Sequence, residues 1–169
     1  HNLGNSAIET DEAYLVCGST NENSTLLKLN KVDGSIIFEK VFDNGGSDAI
    51  EHIAKTPNGY IAVGYVHAED KTNTFYTEGE GYITFLNELG EKTSGQNINS
   101  YLAHAYRIMS FNNEYFISGL TENADDYALL KMNEYGLIIW SRTYGGNKAD
   151  HCFGMDLGSD GSVFLTGHT

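Results

Sequence analysis

The stretch Tyr14-Leu15-Val16-Cys17-Gly18 is the first of four similar runs, each a short apolar segment that ends in glycine. The four glycines are Gly18, Gly64, Gly119 and Gly167, so they lie 46, 55 and 48 residues apart. Runs of this length, rich in Val, Ile, Tyr and Phe and bounded by turn residues, are typical of β-strands. A period of this size with strands in every unit predicts a repeat array of the β-propeller kind.

Further runs show that the repeating unit is four strands, A to D, of which the glycine run is strand B. Turn residues separate them, and no stretch has a sustained helical period with caps. Turn glycines follow strand C at Gly34, Gly90 and Gly136, where positive φ costs glycine little. The runs assigned to strand C are 26–30, 82–87 and 128–133, those of strand D are 36–42 and 137–144, and those of the next strand A are 49–54, 103–109 and 151–157.

The chain is therefore predicted to be a single all-β repeat domain, 1–169, with units at about 1–45, 46–98 and 99–147 and a half unit at 148–169. These are tandem four-stranded antiparallel propeller-type blades, about 3.5 of them. Closed propellers need at least four blades, so we expect an open array, a piece of a larger ring, or a ring completed by another copy. The first strand A must come from 3–9 and looks truncated. The polar segment 91–98 is expected to be an outer edge.

One connection between strands B and C is much longer than its equivalents. It spans 67–81 and contains Tyr76, Glu78 and Glu80. Insertions in repeat proteins collect on one face, often the binding face. The segment is either a binding loop that uses these three side chains or a tolerated surface spacer.

Composition restricts the classes of partner. The formal net charge is −13 with only ten Lys and Arg, which argues against nucleic acid and anionic membranes. No run approaches the roughly 20 apolar residues of a membrane-spanning helix. The sequence contains no G-x-S-x-G, H-E-x-x-H, P-loop or G-x-G-x-x-G motif, so no enzyme class is indicated.

The sequence allows two kinds of covalent modification, a disulfide bond and N-glycosylation. Cys17 and Cys152 lie far apart in the chain. They are either free buried thiols, a disulfide that ties the first unit to the last, or a link between chains. Asn23-Ser24-Thr25 is a sequon expected in a polar turn, which makes Asn23 a candidate glycosylation site.

Polar residues recur in two columns of the repeat. His104 and His151 both begin strand A, where histidines at one level could bind a metal, although ordinary polar packing is the simpler interpretation. Asp48 and Asp150 each follow a Gly-Gly pair and are expected to cap turns. Calcium is the one cofactor that the acidic residues of the B-to-C connections could hold, since it prefers oxygen ligands, although no connection has the EF-hand pattern. These acidic residues are Glu69, Asp70, Glu78, Glu80, Asp125 and Asp126.

The third unit carries the clearest resemblance to a known family. The segments 127–133 (YALLKMN), 136–146 (GLIIWSRTYGG) and 160–167 (DGSVFLTG) resemble secreted bacterial-type β-propeller repeats of the pattern YLLKLD…W.KTYGG…DGGYI..G. The first unit matches less fully, and the middle one lacks the W..TYGG segment. The resemblance implies a secreted or cell-surface module without catalytic residues, whereas the small number of repeats and the altered middle unit indicate an unusual assembly.

Three functions follow as hypotheses. The first is a non-catalytic extracellular structural module, the protomer of an oligomer or filament that self-associates through exposed strand edges. The second is a glycan- or peptide-binding module of a cell-surface protein. The third, an enzyme that depends on His104 or His151, has the least support in the sequence.

Overall fold

The computed structural model describes residues 2–68, 79–121 and 126–168. Within these ranges the chain forms fourteen β-strands and no helix, and hence no helix that is long and apolar enough to cross a membrane. The strands are β1 (Asn2–Glu9), β2 (Ala13–Thr20), β3 (Asn23–Asn30), β4 (Ile36–Phe42), β5 (Ser47–Thr56), β6 (Gly59–Ala68), β7 (Glu80–Leu86), β8 (Lys92–Asn97), β9 (His104–Phe111), β10 (Glu114–Leu120), β11 (Tyr127–Asn133), β12 (Ile138–Tyr144), β13 (His151–Leu157) and β14 (Val163–His168).

The strands form four antiparallel sheets in chain order: β1 to β4, β5 to β8, β9 to β12, and the pair β13 and β14. The prediction of an all-β chain of repeated antiparallel units is confirmed. Within each sheet, strands that follow one another in the chain pair as antiparallel neighbours. The first strands of successive sheets pack against one another, β1 on β5, β5 on β9 and β9 on β13.

Two details of the sequence interpretation need correction, and one is confirmed. β1 is not truncated, since its eight residues equal the length of β2 and β9. The repeated runs do not end at their glycines, because β6 continues beyond Gly64 to Ala68. The polar segment around β8 is indeed an outer edge, and its side chains are mostly exposed.

Apolar faces of adjacent sheets bury two cores, which hold the sheets together face to face. The smaller core joins the first and second sheets, and the larger joins the second and third. Burial of each large aliphatic side chain in such a core contributes about 2 kcal/mol. The fully buried side chains include Leu15, Leu26 and Ile53 in the first core and Ile61, Ile83, Ile98, Leu102, Ile108, Ile117, Leu130 and Met132 in the second.

The turns that follow β7 and β11 have the same construction. Asn87 Oδ1 accepts hydrogen bonds from the backbone N–H groups of Leu89 and Glu91, at 3.0 and 2.9 Å. Gly90 then closes the turn at a φ of 72°, which a residue with a Cβ adopts only at a cost. Asn133 repeats the arrangement in the third sheet, so the repeat is built into local hydrogen bonding as well as packing.

Candidate functional site

The first strand of every sheet contains a β-bulge at the equivalent position. In β1 the pairing with β2 skips Asn5, and in β5, β9 and β13 it skips Glu51, Tyr106 and Phe153. A bulged residue is left out of the ladder, and the bulge re-aims its side chain. The four bulges therefore present one side chain from each sheet on the surface where the first strands meet.

The repeated glycines lie opposite these bulges, which explains why the sequence repeats them. Gly18, Gly64, Gly119 and Gly167 each pair at the step where the register shifts. A Cβ at any of them would overlap a backbone carbonyl oxygen of the first strand. The bulge brings that carbonyl close enough that only glycine fits, since a carbonyl in a sheet cannot move without disturbing the ladder.

The four bulged residues line one open pocket of about 380 Å³. We call it the first-strand pocket. It receives residues from β1, β5, β6, β9 and β13, and so from all four sheets. Its lining residues are Leu3, Gly4, Asn5, Glu51, Tyr65, Tyr106, Arg107 and Phe153.

Aromatic rings form a continuous row along one side of the pocket. The His104 ring lies between Tyr65, at a centroid distance of 4.5 Å, and Tyr106, stacked at 4.1 Å. Tyr106 then contacts Phe153 edge-on at 5.6 Å, and Phe153 lies 5.6 Å from His168. Because each ring packs on the next, the aromatic faces at the pocket are held in fixed orientations.

Polar atoms of the pocket have unused hydrogen-bonding capacity. Glu51 Oε1 accepts from Nε2 of the buried His104 at 3.2 Å. Arg107 donates from Nη1 to the preceding carbonyl at 3.0 Å, and Asn5 donates from Nδ2 to a β5 carbonyl at 3.1 Å. Within the described ranges, Glu51 Oε2, Asn5 Oδ1 and the other Arg107 N–H groups have no hydrogen-bond partner.

The two cysteines are both free and buried in the structure. Burial raises the pKa of the Cys17 thiol to about 12; the Glu51 carboxylate adds to this shift and Arg107 opposes it. Burial also raises the pKa of Cys152. Neither thiol is activated as a nucleophile, because activation requires a lowered pKa. The disulfide is not formed in the structure, and pairing of Cys17 with Cys152 stays a prediction.

The two histidines of the repeat column have different partners. His104 contacts Glu51, and its buried Nδ1 has no hydrogen-bond partner among the described residues. His151 Nδ1 lies 3.0 Å from Nε2 of His168. In the part of the chain that the structure describes, no three His, Cys, Asp or Glu side chains are grouped so that they could hold a metal ion.

The aspartates of the second column cap turns, as the sequence predicted. Asp48 Oδ2 accepts from the backbone N–H of Asn44 at 2.7 Å, and Asp150 Oδ2 accepts from that of Gly146 at the same distance. Asp48 also accepts from the backbone N–H of His67 at 3.1 Å. Both carboxyl groups are buried, so they organise turns rather than face a ligand.

Most of the predicted binding loop lies outside the described residues, including Tyr76 and Glu78, as do the calcium candidates Glu69, Asp70 and Asp125. Glu80 is described, at the start of β7. It lies 3.3 Å from His67 Nδ1 and accepts a hydrogen bond from Asn97. A role for Tyr76, Glu78 and Glu80 in binding stays a prediction.

The sequon lies at a strand end rather than within a turn. Asn23 is the first residue of β3 and is half-buried. The hydroxyl of Thr25, the third sequon residue, donates to the Asn23 carbonyl at 3.1 Å and is buried. Glycosylation of Asn23 stays a prediction.

Sequence reasoning missed the residues that line the first-strand pocket. Asn5, Glu51 and Tyr106 each precede their strand-B glycine by 13 residues, and Phe153 precedes Gly167 by 14. That nearly constant offset was the available signal. Because the four side chains differ in chemistry, no residue-type pattern marked them.

Comparison with known proteins gives no assignment: no family model and no curated protein matches this chain.

Proposed function

We propose that this chain is a non-catalytic extracellular assembly module with propeller-type blades, and that it self-associates by strand pairing at β14. The observation that supports it is the chemistry of this edge. Within the described ranges β14 pairs only with β13, and its sequence, VFLTGH, contains no Asp, Glu, Lys or Arg. The other three sheets end in strands that carry Lys40, Lys92 and Arg142.

Charged residues on outer strands protect sheets against unwanted pairing, because pairing would bury the charge. β14 lacks this protection, and its Phe164 is 59% exposed. The partner that we propose is a second copy of the chain. Two β14 strands that pair antiparallel about a two-fold axis would join two two-stranded sheets into one of four strands, the size of the other three sheets.

The net charge of −13 opposes association of identical copies. Screening of this repulsion by salt strengthens pairing between uncharged strands. Association is therefore expected to increase with ionic strength, which is opposite to the behaviour of an interface built on ion pairs. An oligomer larger than a dimer, or a filament, requires a second contact surface in addition to β14.

The test is the mass in solution, measured by light scattering over a range of concentration and salt. A monomer has 18.6 kDa, and the proposal expects a species of twice that mass that becomes more populated in salt. Phe164→Lys places a charge on the edge and is expected to abolish association. The matched control is Tyr135→Lys, which replaces an aromatic ring that is 85% exposed in a turn of the third sheet.

Two results would refute the proposal. One is a monomer at the highest concentration and salt. The other is a Phe164→Lys variant that associates as strongly as the Tyr135→Lys control.

A further inference from the structure

We propose that the first-strand pocket is a binding site for one neutral pyranose ring of a glycan. This goes beyond the assembly proposal, because the pocket is distinct from the β14 edge. The volume of about 380 Å³ falls within the range of small-molecule sites, which combine aromatic walls with a few placed polar groups. The pocket has this composition, with three aromatic rings, one carboxylate, one guanidinium and one amide.

The aromatic side chains supply a surface for the apolar face of a sugar. Phe153 is partly exposed at the pocket, whereas Tyr65 and Tyr106 are 7% and 6% exposed behind it. The ring row holds these faces in place without a ligand. Binding therefore requires little ordering of side chains, which lowers its entropic cost.

The polar groups offer both donors and acceptors. Glu51 Oε2 and Asn5 Oδ1 are open acceptors, and Arg107 has open N–H donors, within the described residues. A hydroxyl group both donates and accepts, so adjacent sugar hydroxyls match such a mixed set. Hydrogen bonds to charged groups are the stronger ones.

The charges of the pocket favour a ligand without a net charge. The Glu51 carboxylate and the Arg107 guanidinium both line the pocket, so their opposite charges offset each other. A cation drawn to Glu51 would also meet the like charge of Arg107. An anion would face Glu51. A neutral polyhydroxylated ring meets neither repulsion.

Saturation-transfer NMR tests the proposal with three neutral probes: methyl β-D-glucopyranoside, methyl β-D-galactopyranoside and methyl α-D-mannopyranoside. Choline and acetate are the charged comparisons. At least one pyranoside is expected to receive saturation at its ring protons, and both charged probes are expected to receive none. No transfer to any pyranoside, or transfer to choline or acetate alone, would overturn the proposal.

Matched variants locate the binding. Phe153→Leu and Glu51→Gln are each expected to weaken binding of the pyranoside by about tenfold, since each removes one stacking face or one charged acceptor. Tyr135→Leu and Glu91→Gln, which alter an exposed aromatic ring and an exposed carboxylate away from the pocket, are expected to leave it unchanged. Circular dichroism checks that all four variants fold. If Phe153→Leu does not fold, Glu51→Gln still tests the proposal. Equal binding by pocket and control variants would overturn the proposal, and light scattering reports separately on association.

Discussion

Replacement of Gly119 by alanine tests the explanation given for the repeated glycine. Gly119 pairs with Ala105 at the step where the bulge shifts the register between β9 and β10. An added Cβ would overlap the His104 carbonyl oxygen and lie 3.0 Å from Ala105 Cα. Both are backbone atoms of a paired strand, so no side-chain rotation relieves the overlap.

Movement of the β9 backbone costs about 1–3 kcal/mol as overpacking and about 1 kcal/mol for each backbone hydrogen bond that it weakens. We therefore expect the free energy of unfolding to fall by roughly 3 kcal/mol or more, out of a total of about 5–15 kcal/mol for a typical domain. With a urea m-value of about 2 kcal/mol/M, the midpoint should fall by about 1.5 M.

The control for this prediction is Gly4→Ala, in the same pocket region. There the nearest atom to an added Cβ is Val16 Cγ1 at 3.8 Å, an ordinary contact. Its effect on the free energy of unfolding should stay within about 0.5 kcal/mol. A loss below 1 kcal/mol for Gly119→Ala, or equal losses for the two variants, would refute the account of the glycine column.

Four ionisable side chains give the remaining predictions. Burial, aided by the Arg107 charge, lowers the pKa of His52 to about 4. The neutral imidazole therefore contributes its full stability above pH 6.5, and the free energy of unfolding should fall by about 2 kcal/mol between pH 8 and pH 5. In urea titrations at these two pH values, His52→Gln should abolish that fall. The Asn44 carbonyl and Glu80 raise the pKa of His67. The contribution of His67 to stability is therefore present below pH 6.5 and is lost as the pH rises through the raised pKa. His67→Gln should change the pH dependence of stability in the sense opposite to His52→Gln, and the same sense for both variants would contradict these assignments. Asp48→Ala should lower the free energy of unfolding by about 3 kcal/mol, because it leaves the backbone N–H groups of Asn44 and His67 unpaired, and thermal melts that match the wild type would contradict this. Cys17 should react with a thiol reagent at pH 8 only after unfolding, since its pKa is about 12 and the residue is 1% exposed; rapid labelling of the folded protein at Cys17 would show that the burial is wrong.

The strands were predictable because their signals are local. Alternation of apolar residues, Asn-x-x-Gly turns and the Gly-Gly-to-Asp spacing each act within a few residues, so β7, β11 and the Asp48 cap follow from the sequence. The first-strand pocket was not predictable in the same way. Glu51 and Phe153 lie in different sheets and far apart in the chain, and only the packing of first strands brings them together.

By itself the sequence determined the all-β class, the repeating unit and the turn positions, because these depend on backbone preferences and on the period of the apolar runs. The tertiary structure decided what the repeated glycine is for. A bulge exists only when two strands are paired out of step, and the overlap that excludes a Cβ at Gly119 is with a residue 15 positions earlier in the chain. It also decided that Asn5, Glu51, Tyr106 and Phe153 share one pocket, since convergence in space depends on how sheets pack and not on residue type.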